Sequence, residues 1–423
     1  MPARIMKNVL FITYFWPPSG KASLHWPLAV IKHLPRSGWQ PAVLTVDEDT
    51  FSERDESLLG EIAADLTVVR TASNDPFQLY RKFLGKSPGD PLVASETISM
   101  TNSGLRHRIA VWIRMNLFVP DARIGWFFSA VRGGVRLIRS MKIDAIVSNG
   151  PPHSAHLIGK YLSKRFSIPH IPILIDPWVD IAYYRGFKRS AATLALDNYF
   201  ERSVLEHAAH VVFVTQGARE EYVKKYPGIA GTSSVLYWGY NEESFSRIGR
   251  CAESSGNAFP STSERQASQP AREESPVTVE HQIAAQNSSA TDVPRASRVL
   301  LHAGNIFDFQ NPPGLWKNVR REIDAGRPIT IRFVGTVSPG IRRTIEEQGL
   351  SPYAEYKGFL PFDRMIEEMC GADFLFVCAT EKRHVPGKLF EYLRAGKPVI
   401  AFGDDNEEVA GLLRSCNAGV LLP

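Results

Sequence analysis

The chain of 423 residues is 44% hydrophobic and 22% charged, proportions that are typical of a globular protein and exclude a disordered or fibrous one. Its length is sufficient for two domains of ordinary size, each with its own core. None of the four cysteines forms a CxxC pair, so we expect no metal site and no structural disulfide, as in a reduced cytoplasmic protein. No apolar stretch reaches the ~20 residues of a membrane-spanning helix.

The formal net charge of +5 is unevenly distributed along the chain. Residues 76–142 hold eleven Lys/Arg against three Asp/Glu, a local excess that is larger than the total. Within them, residues 106–118 combine arginines with apolar residues at helical spacing, namely Ile109, Trp112, Ile113 and Leu117. Such a helix either packs on the core with a basic edge in solvent or makes peripheral contact with the inner face of a membrane. No segment contains a nucleic-acid-binding module, so we expect no nucleic acid partner.

Short apolar runs alternate with segments of helical periodicity, the pattern of strands and helices in a parallel α/β fold. The runs that predict strands are 8–14, 41–46, 144–148, 170–175, 298–303, 329–334, 373–378 and 399–402. The segments that predict helices are 24–34, 157–166, 194–208 and 362–370. Residues 250–297 contain nine Ser and a single aromatic residue, Phe259. This composition is too polar to offset the entropy of ordering, so we expect a disordered insertion.

Polar residues follow the predicted strands of the amino-terminal half, where open parallel sheets bind ligands. The first loop contains Ser19 and Gly20, a later loop contains His153 and His156, and Asp176 follows the next strand. A histidine at the mouth of a cleft can donate a proton or orient a hydroxyl group, and an aspartate can accept a hydrogen bond from a hydroxyl group. The alternatives are a capping or surface role for each histidine and a turn before proline for Asp176. Of the two histidines we favour His156.

The segment 385–402 carries the strongest functional signal. A turn that contains Gly387 precedes a short helix, which a glycine ends before a buried strand. The start of a helix at this edge of a sheet offers free N–H groups and a partial positive charge to an anion. Lys388 adds a full positive charge, and Glu391 follows one turn later on the same face. A phosphate at Lys388 and ribose hydroxyls at Glu391 would together bind a nucleotide diphosphate. The alternative is a structural helix–strand unit with a surface lysine.

This segment resembles the donor-binding signature of the retaining glycosyltransferases of family four. The similarity extends in the same order to residues 8–47, 148–178, 199–240, 302–313 and 356–419. It implies an α/β protein with the GT-B fold, in which two Rossmann-like domains face a cleft.

The resemblance also implies a division of the chain. Residues 1–240 would form the Rossmann-like acceptor domain, residues 246–297 a disordered insertion at the junction, and residues 298–423 the donor-binding domain. The final helix by which this fold returns to its first domain is missing before Pro423, so we expect an abbreviated or truncated carboxyl terminus.

The implied activity is transfer of a sugar, with retention, from a nucleotide-sugar to a glycan, a lipid-linked or a small-molecule acceptor. The implied setting is cell envelope polysaccharide biosynthesis in the cytoplasm, with no metal and no cofactor besides the donor. The candidate catalytic residues are His156, Lys388 and Asp176. The candidate donor-binding residues are Gly304, Asn305, Gly387, Lys388 and Glu391. The candidate acceptor-side residues are Ser19, Gly20 and His153.

Four positions depart from the family pattern. Trp26 stands where an arginine is common, Ile173 and Ile175 where an aspartate and an arginine are common, and Arg383 where the family has a glutamate. Isoleucine cannot make the bidentate contact of arginine with a phosphate. These departures favour a second interpretation, a non-catalytic relative that binds a sugar nucleotide or a protein partner. A third, a sugar-nucleotide epimerase on the same fold, has no motif of its own in this chain.

Overall fold

The structure of the protein, a computed structural model, describes residues 6–51, 53–73, 105–181, 188–248, 297–382 and 384–422. These residues form two open sheets in which the paired strands are parallel. The first sheet consists of β1 (Lys7–Ile12), β2 (Trp39–Val46), β3 (Thr67–Thr71), β4 (Ala145–Gly150), β5 (His170–Leu174), β6 (Val211–Phe213) and β7 (Ser233–Val235). The second consists of β8 (Arg298–Ala303), β9 (Ile329–Val334), β10 (Ala354–Gly358), β11 (Phe374–Cys378), β12 (Val399–Phe402) and β13 (Gly419–Leu422).

Each sheet has a topological switch point. The strand order is β3-β2-β1-β4-β5-β6-β7 in the first sheet and β10-β9-β8-β11-β12-β13 in the second. Val9 of β1 is in register with Ala145 of β4, and Leu300 of β8 is in register with Phe374 of β11. Because the chain leaves these two central pairs in opposite directions, the loops at their carboxyl ends diverge and leave a crevice.

The first sheet is buried on both faces, which explains why its strands are continuous apolar runs. Along β1, Val9 and Phe11 belong to one core cluster, whereas Leu10 and Ile12 belong to another. The described helices that flank the two sheets are α1 (His25–His33), α2 (Leu105–Leu117), α3 (Phe127–Ser140), α4 (Ser154–Phe166), α5 (Ala191–Leu205), α6 (Gln216–Lys225), α7 (Glu242–Ile248), α8 (Pro313–Asp324), α9 (Pro339–Glu347), α10 (Phe362–Gly371), α11 (Lys388–Ala395) and α12 (Glu407–Ser415).

Direct contacts join the two sheet-and-helix units. The backbone N–H of Phe362 donates to Oδ2 of Asp55 at 2.9 Å. Arg394 forms an ion pair with Glu242 at 2.6 Å. The two predicted Rossmann-like domains are therefore present, and their contacts hold the strand ends of both at a common cleft.

Some expectations about the chain need correction. Residues 246–248, predicted to begin the disordered insertion, form the end of helix α7. The rest of that insertion up to residue 296 lies outside the described residues, and the predicted domain boundaries stay a prediction. Cys370 is disulfide-bonded, so the expectation of a chain without a disulfide is wrong. None of the helices in the described part of the chain is both long and apolar enough to cross a membrane.

Candidate active site

Two glycine turns lie in contact at the carboxyl edge of the second sheet. Gly304 follows β8 with φ +107° and Gly335 follows β9 with φ +115°, backbone conformations that favour glycine. A Cβ atom on Gly335 would lie 2.6 Å from the carbonyl carbon of Gly304, and one on Gly304 would lie 2.7 Å from Nζ of Lys388. Oδ1 of Asn305 accepts from the N–H of Thr336 at 2.9 Å. These contacts bring the two loops and the lysine together.

Lys388 begins helix α11 and extends along Gly304 to a histidine on β8. Its Nζ lies 3.2 Å from Nε2 of His302, and Nδ1 of His302 lies 3.0 Å from the carbonyl oxygen of Phe376. Since a carbonyl only accepts, Nδ1 carries the proton and Nε2 accepts from the lysine. Burial and the nearby lysine hold the pKa of His302 well below its usual value, so the ring is neutral. No motif marks His302 in the sequence, because its place on a buried strand predicts only a core residue.

A carboxyl group lies one helical turn from this lysine. Burial lowers the pKa of Lys388 to about 8, although Cys378 and Glu391 act in the opposite direction. Glu391 is only 6% exposed, and burial raises its pKa to about 8. Within the described residues, Oε2 of Glu391 has no hydrogen-bond partner. The site therefore contains an amine and a carboxyl group that can both still bind a ligand.

Helix α11 borders a cavity between the two domains through Glu391. The indole of Trp238 lies 3.0 Å from the position of a Cβ atom on Gly387, and Nε1 of Trp26 donates to the carbonyl oxygen of Tyr237 at 3.3 Å. Both tryptophans, together with Glu391, line an interdomain cavity of about 550 Å³. Trp26, one of the departures from the family pattern, thus has a structural role at the junction of the domains.

The start of helix α4 in the first domain is capped by a side chain from another part of the chain. Asp121 accepts from the backbone N–H of Ser154 at 2.8 Å and from its hydroxyl at 3.1 Å. Helix α11 has no such side-chain cap among the described residues, and in its first turn the N–H groups of Leu389 and Phe390 donate to the carbonyl oxygens of Pro386 and Gly387. Of these two helices, α11 therefore offers its start to an anion.

Asp176 follows strand β5 and contacts the second domain across the cleft. Its Oδ1 lies 3.5 Å from Nε2 of His384, which belongs to the loop that leads into helix α11. Burial raises the pKa of Asp176, while His384 acts in the opposite direction. The structure therefore brings Asp176 and the lysine-bearing helix to the same cleft. His384 has no distinguishing signal in the sequence, because it lies in a polar loop.

The two candidate histidines are buried in the first domain. Nδ1 of His156 lies 2.8 Å from Oγ of Ser148, which lies 2.7 Å from Nε2 of His170. His153 stacks on Trp178 with ring centroids 4.9 Å apart. Burial lowers the pKa of His153 to about 3 and that of His156 well below its usual value, so both rings are neutral. Both rings are therefore enclosed by protein and not exposed at the mouth of the cleft as expected, and their predicted roles stay predictions.

The predicted acceptor-side loop packs against the second domain. Ser19 is fully buried, and a Cβ atom on Gly20 would lie 2.9 Å from the ring of Phe359. Helix α1 starts with His25, whose ring stacks on Phe362 at a centroid distance of 4.2 Å. The structure therefore places Ser19 and Gly20 at the domain interface, where a glycine permits close approach.

The architecture is that of a class of proteins with two facing Rossmann-like domains, the GT-B fold. Sucrose-phosphate synthase from Thermosynechococcus elongatus is similar with a TM-score of 0.55 at 12% identity, over 99% of this chain and 86% of that one. HepE from Anabaena, solved with UDP and glucose, is similar with a TM-score of 0.52 at 15% identity, over 97% and 90%. A glycosyltransferase from Rickettsia africae is similar with a TM-score of 0.51 at 13% identity, over 97% and 88%.

The sequence comparison agrees with the fold. A family model described as "Glycosyl transferase 4-like domain" matches residues 28–229. This match and the fold confirm the prediction of a GT-B glycosyltransferase that resembles family four. No curated protein matches the chain significantly.

Proposed function

We propose that the protein transfers a sugar from a nucleotide-sugar donor, with retention, to a glycan, a lipid-linked or a small-molecule acceptor. The observation that supports this proposal most strongly is the convergence of Lys388, the uncapped start of helix α11 and the glycine turn at Gly304. A diphosphate at this position would accept hydrogen bonds from backbone N–H groups and lie beside one full positive charge. HepE, which was solved with UDP and glucose, has the same fold and supports UDP as the nucleotide of the donor.

The nucleoside would extend from this position along helix α11. Glu391 lies one turn beyond Lys388, and its buried carboxyl group borders the interdomain cavity. The free Oε2 atom could accept from a ribose hydroxyl, which would relieve the cost of a buried polar atom without a partner. Gly387 and Asn305 stay predicted donor contacts on the two sides of the diphosphate.

The chemical step would rely on charge stabilisation. As the bond between the anomeric carbon and the phosphate oxygen breaks, negative charge develops beside Lys388 and the helix start, which stabilise it. The departing phosphate accepts the proton of the acceptor hydroxyl, whose oxygen bonds to the anomeric carbon on the same face. Asp176 would position that hydroxyl from the opposite side of the cleft. The catalytic role predicted for His156 gains no support from its complete burial.

The setting that suits this reaction is the cytoplasmic side of cell envelope polysaccharide biosynthesis, and we propose it for this protein. Lys388 and the helix start would replace a divalent cation at the diphosphate, so we expect activity in the presence of a chelator. Loss of activity on chelation, with recovery on adding a metal, would contradict this expectation.

A titration with nucleotide sugars tests the donor site. We expect one nucleotide class to bind the intact chain, and Lys388→Met to lose most of that affinity. The matched control is Lys382→Met, because Lys382 lies in the same loop but is exposed and pairs with Asp405. Donor hydrolysis and the anomeric configuration of the product, read by NMR, then test transfer and retention. Equal binding by the two variants would place the donor elsewhere.

A second candidate function is that of a non-catalytic relative that binds a sugar nucleotide. It is supported by Ile173 and Ile175, which are 4% and 7% exposed and belong to the core cluster shared with the second domain. Apolar packing thus occupies positions where charged side chains are common in the family. Donor binding without hydrolysis or transfer, across a panel of acceptors, would favour this candidate over the enzyme.

A further inference from the structure

Three neighbouring helices of the first domain present aromatic side chains to solvent. A groove of about 630 Å³ runs between them. Phe128 on α3, Tyr161 on α4 and Tyr199 on α5 line this groove and are 72%, 41% and 64% exposed. Large aromatic rings are rarely left in water as a contiguous patch without an interaction that covers them. We call this surface, formed by the outward sides of α3, α4 and the adjoining part of α5, the aromatic–basic face.

Two of the three helices of this face supply only positive charge. Helices α3 and α4 contain no Asp or Glu. Their basic residues are Arg132, Arg136, Arg139, Lys160, Lys164 and Arg165. The three arginines of α3 are exposed and form no ion pair with a carboxylate in the described part of the chain. Their spacing continues the side of the helix on which Phe128 lies.

The positive charges of the face repel one another. The pKa of Lys160 is lowered, first by burial and then by the charge of Lys164, while Glu206 at the end of α5 acts in the opposite direction. An anionic surface placed over the groove would relieve this repulsion, whereas a neutral partner would not. The charge pattern therefore favours a negatively charged occupant.

The face also lies beside the cleft. Helix α4 begins with Ser154, directly after the loop that follows the carboxyl end of β4, and its residue Leu157 lines the groove. Because helices that follow parallel strands start at the carboxyl edge of the sheet, the groove begins near the edge at which the cleft opens. An occupant of the face would thus border the acceptor side.

We propose that the aromatic–basic face seats on an anionic phospholipid bilayer. The three exposed rings would lie at the level of the headgroups, where aromatic side chains are favoured, and the six basic side chains would contact lipid phosphates. The basic helix α2, in which Trp112 and Leu117 are also exposed, is a separate segment and serves below as a comparison. The inference does not depend on the donor chemistry, because the binding is measured without substrate.

Vesicle flotation of the intact chain tests the proposal. We expect recovery with vesicles of phosphatidylcholine mixed with phosphatidylglycerol, little with phosphatidylcholine alone, and weaker recovery at high salt. The variant Arg132→Ser/Arg136→Ser/Arg139→Ser should lower the affinity roughly 100-fold, since each of the three arginines contributes a similar share of the free energy of binding to an anionic bilayer. Phe128→Ser/Tyr199→Ser should also lower it.

The matched control is Lys317→Ser/Arg321→Ser/Arg343→Ser, which removes three exposed basic residues from the second domain. It should float as the unmodified chain does. All these positions are on the surface, so circular dichroism should show unchanged folding. Equal loss in the control and the α3 variant, equal recovery with both vesicle types, or loss only with Trp112→Ser/Leu117→Ser on α2 would each overturn the proposal. So would self-association through the face without bilayer binding.

Discussion

Nε2 of His302 accepts a hydrogen bond from the ammonium group of Lys388 at 3.2 Å, and this contact determines where the positive charge of the site lies. The hydrogen bond from Nδ1 of His302 to the carbonyl oxygen of Phe376 keeps the ring in the tautomer that can accept. Since Gly304 lies against the same lysine, the charge is held at the glycine turn. A strand of the second sheet thus positions the functional group of helix α11.

His302→Phe should weaken the function of Lys388 without touching the donor. The phenyl ring fills a similar volume but cannot accept from the lysine or donate to Phe376, and leaving a buried carbonyl unsatisfied costs about 1–3 kcal/mol. We expect kcat/KM for the donor to fall by roughly 10-fold or more and the urea midpoint to decrease. His302→Gln, whose amide can both donate and accept, is the control and should retain more activity than His302→Phe at comparable stability. Unchanged kcat/KM in the phenylalanine variant would show that His302 does not position the lysine.

Donor binding should take up a proton near pH 8. Because the pKa of Lys388 is about 8, the free amine is partly neutral there, and a bound diphosphate would raise that pKa and draw a proton from the buffer. Affinity should therefore fall as the pH rises through about 8. Calorimetry in two buffers of different ionisation enthalpy measures the uptake.

Two variants identify the side chain that takes up the proton. Lys388→Met should abolish the uptake together with most of the affinity. Glu391→Gln should retain the uptake, because the lysine is the group that accepts the proton. If the uptake disappears only in the glutamine variant, the carboxyl group is the proton acceptor and the explanation based on Lys388 is wrong.

Glu391 should make the fold less stable as the pH rises towards 8. Its pKa is raised from the usual value of 4.5 to about 8 in the folded chain, so the folded state binds more protons than the unfolded state between these values. The free energy of unfolding should therefore decrease with pH in this window, by at most about 1.4 kcal/mol for each pH unit. Urea unfolding at several pH values measures the slope. Glu391→Gln, which mimics the protonated group, should remove most of it; an identical slope in both proteins would contradict the assignment.

The contact between Asp176 and His384 should couple the two domains weakly. Its separation of 3.5 Å and its partial exposure limit a pair of this kind to about 1 kcal/mol. In a double-mutant cycle of Asp176→Asn and His384→Gln, we expect both single variants to lower kcat and the double variant to add little. Asp180→Asn, which alters an exposed ion pair with Lys225, is the control and should leave kcat unchanged. Fully additive effects would show that the two residues act separately.

The strands could be predicted well where both faces of a sheet are buried. The predicted strands 329–334 and 399–402 coincide with β9 and β12. A short, continuous apolar run is compatible with few secondary structures other than a buried strand. Strand β3 (Thr67–Thr71) was not predicted. It lies at the edge of its sheet and its residues are only partly buried, so it lacks an apolar run.

In the candidate site, too, local sequence predicts some positions, whereas others depend on tertiary packing. The placement of Lys388 and Glu391 one turn apart could be predicted, because it follows from the start and the period of one short helix; their roles stay a prediction. His302 could not, because it meets Lys388 only through the packing of a strand 86 residues away in the chain. The inward direction of His156 likewise depends on how helix α4 rotates on the sheet, which no local pattern determines.

Gly304→Ala should damage the donor site more than the fold. A non-glycine residue at φ +107° costs about 1–2 kcal/mol, and the new methyl group would lie 2.7 Å from Nζ of Lys388. The lysine can move away, so we expect modest destabilisation but a loss of donor affinity of roughly 10-fold or more, since displaced charges stabilise the bound diphosphate poorly.

Gly314→Ala is the matched control for this prediction. Gly314 lies in helix α8 with no atom within 4 Å of the added Cβ, and alanine in a helix is more favourable by about 1 kcal/mol. This variant should raise the urea midpoint slightly and leave donor affinity unchanged. Titration with the donor identified for the intact chain compares the two alanine variants directly. Equal affinities would mean that the diphosphate does not lie at the contact between Gly304 and Lys388, because only one of the two substitutions alters that contact.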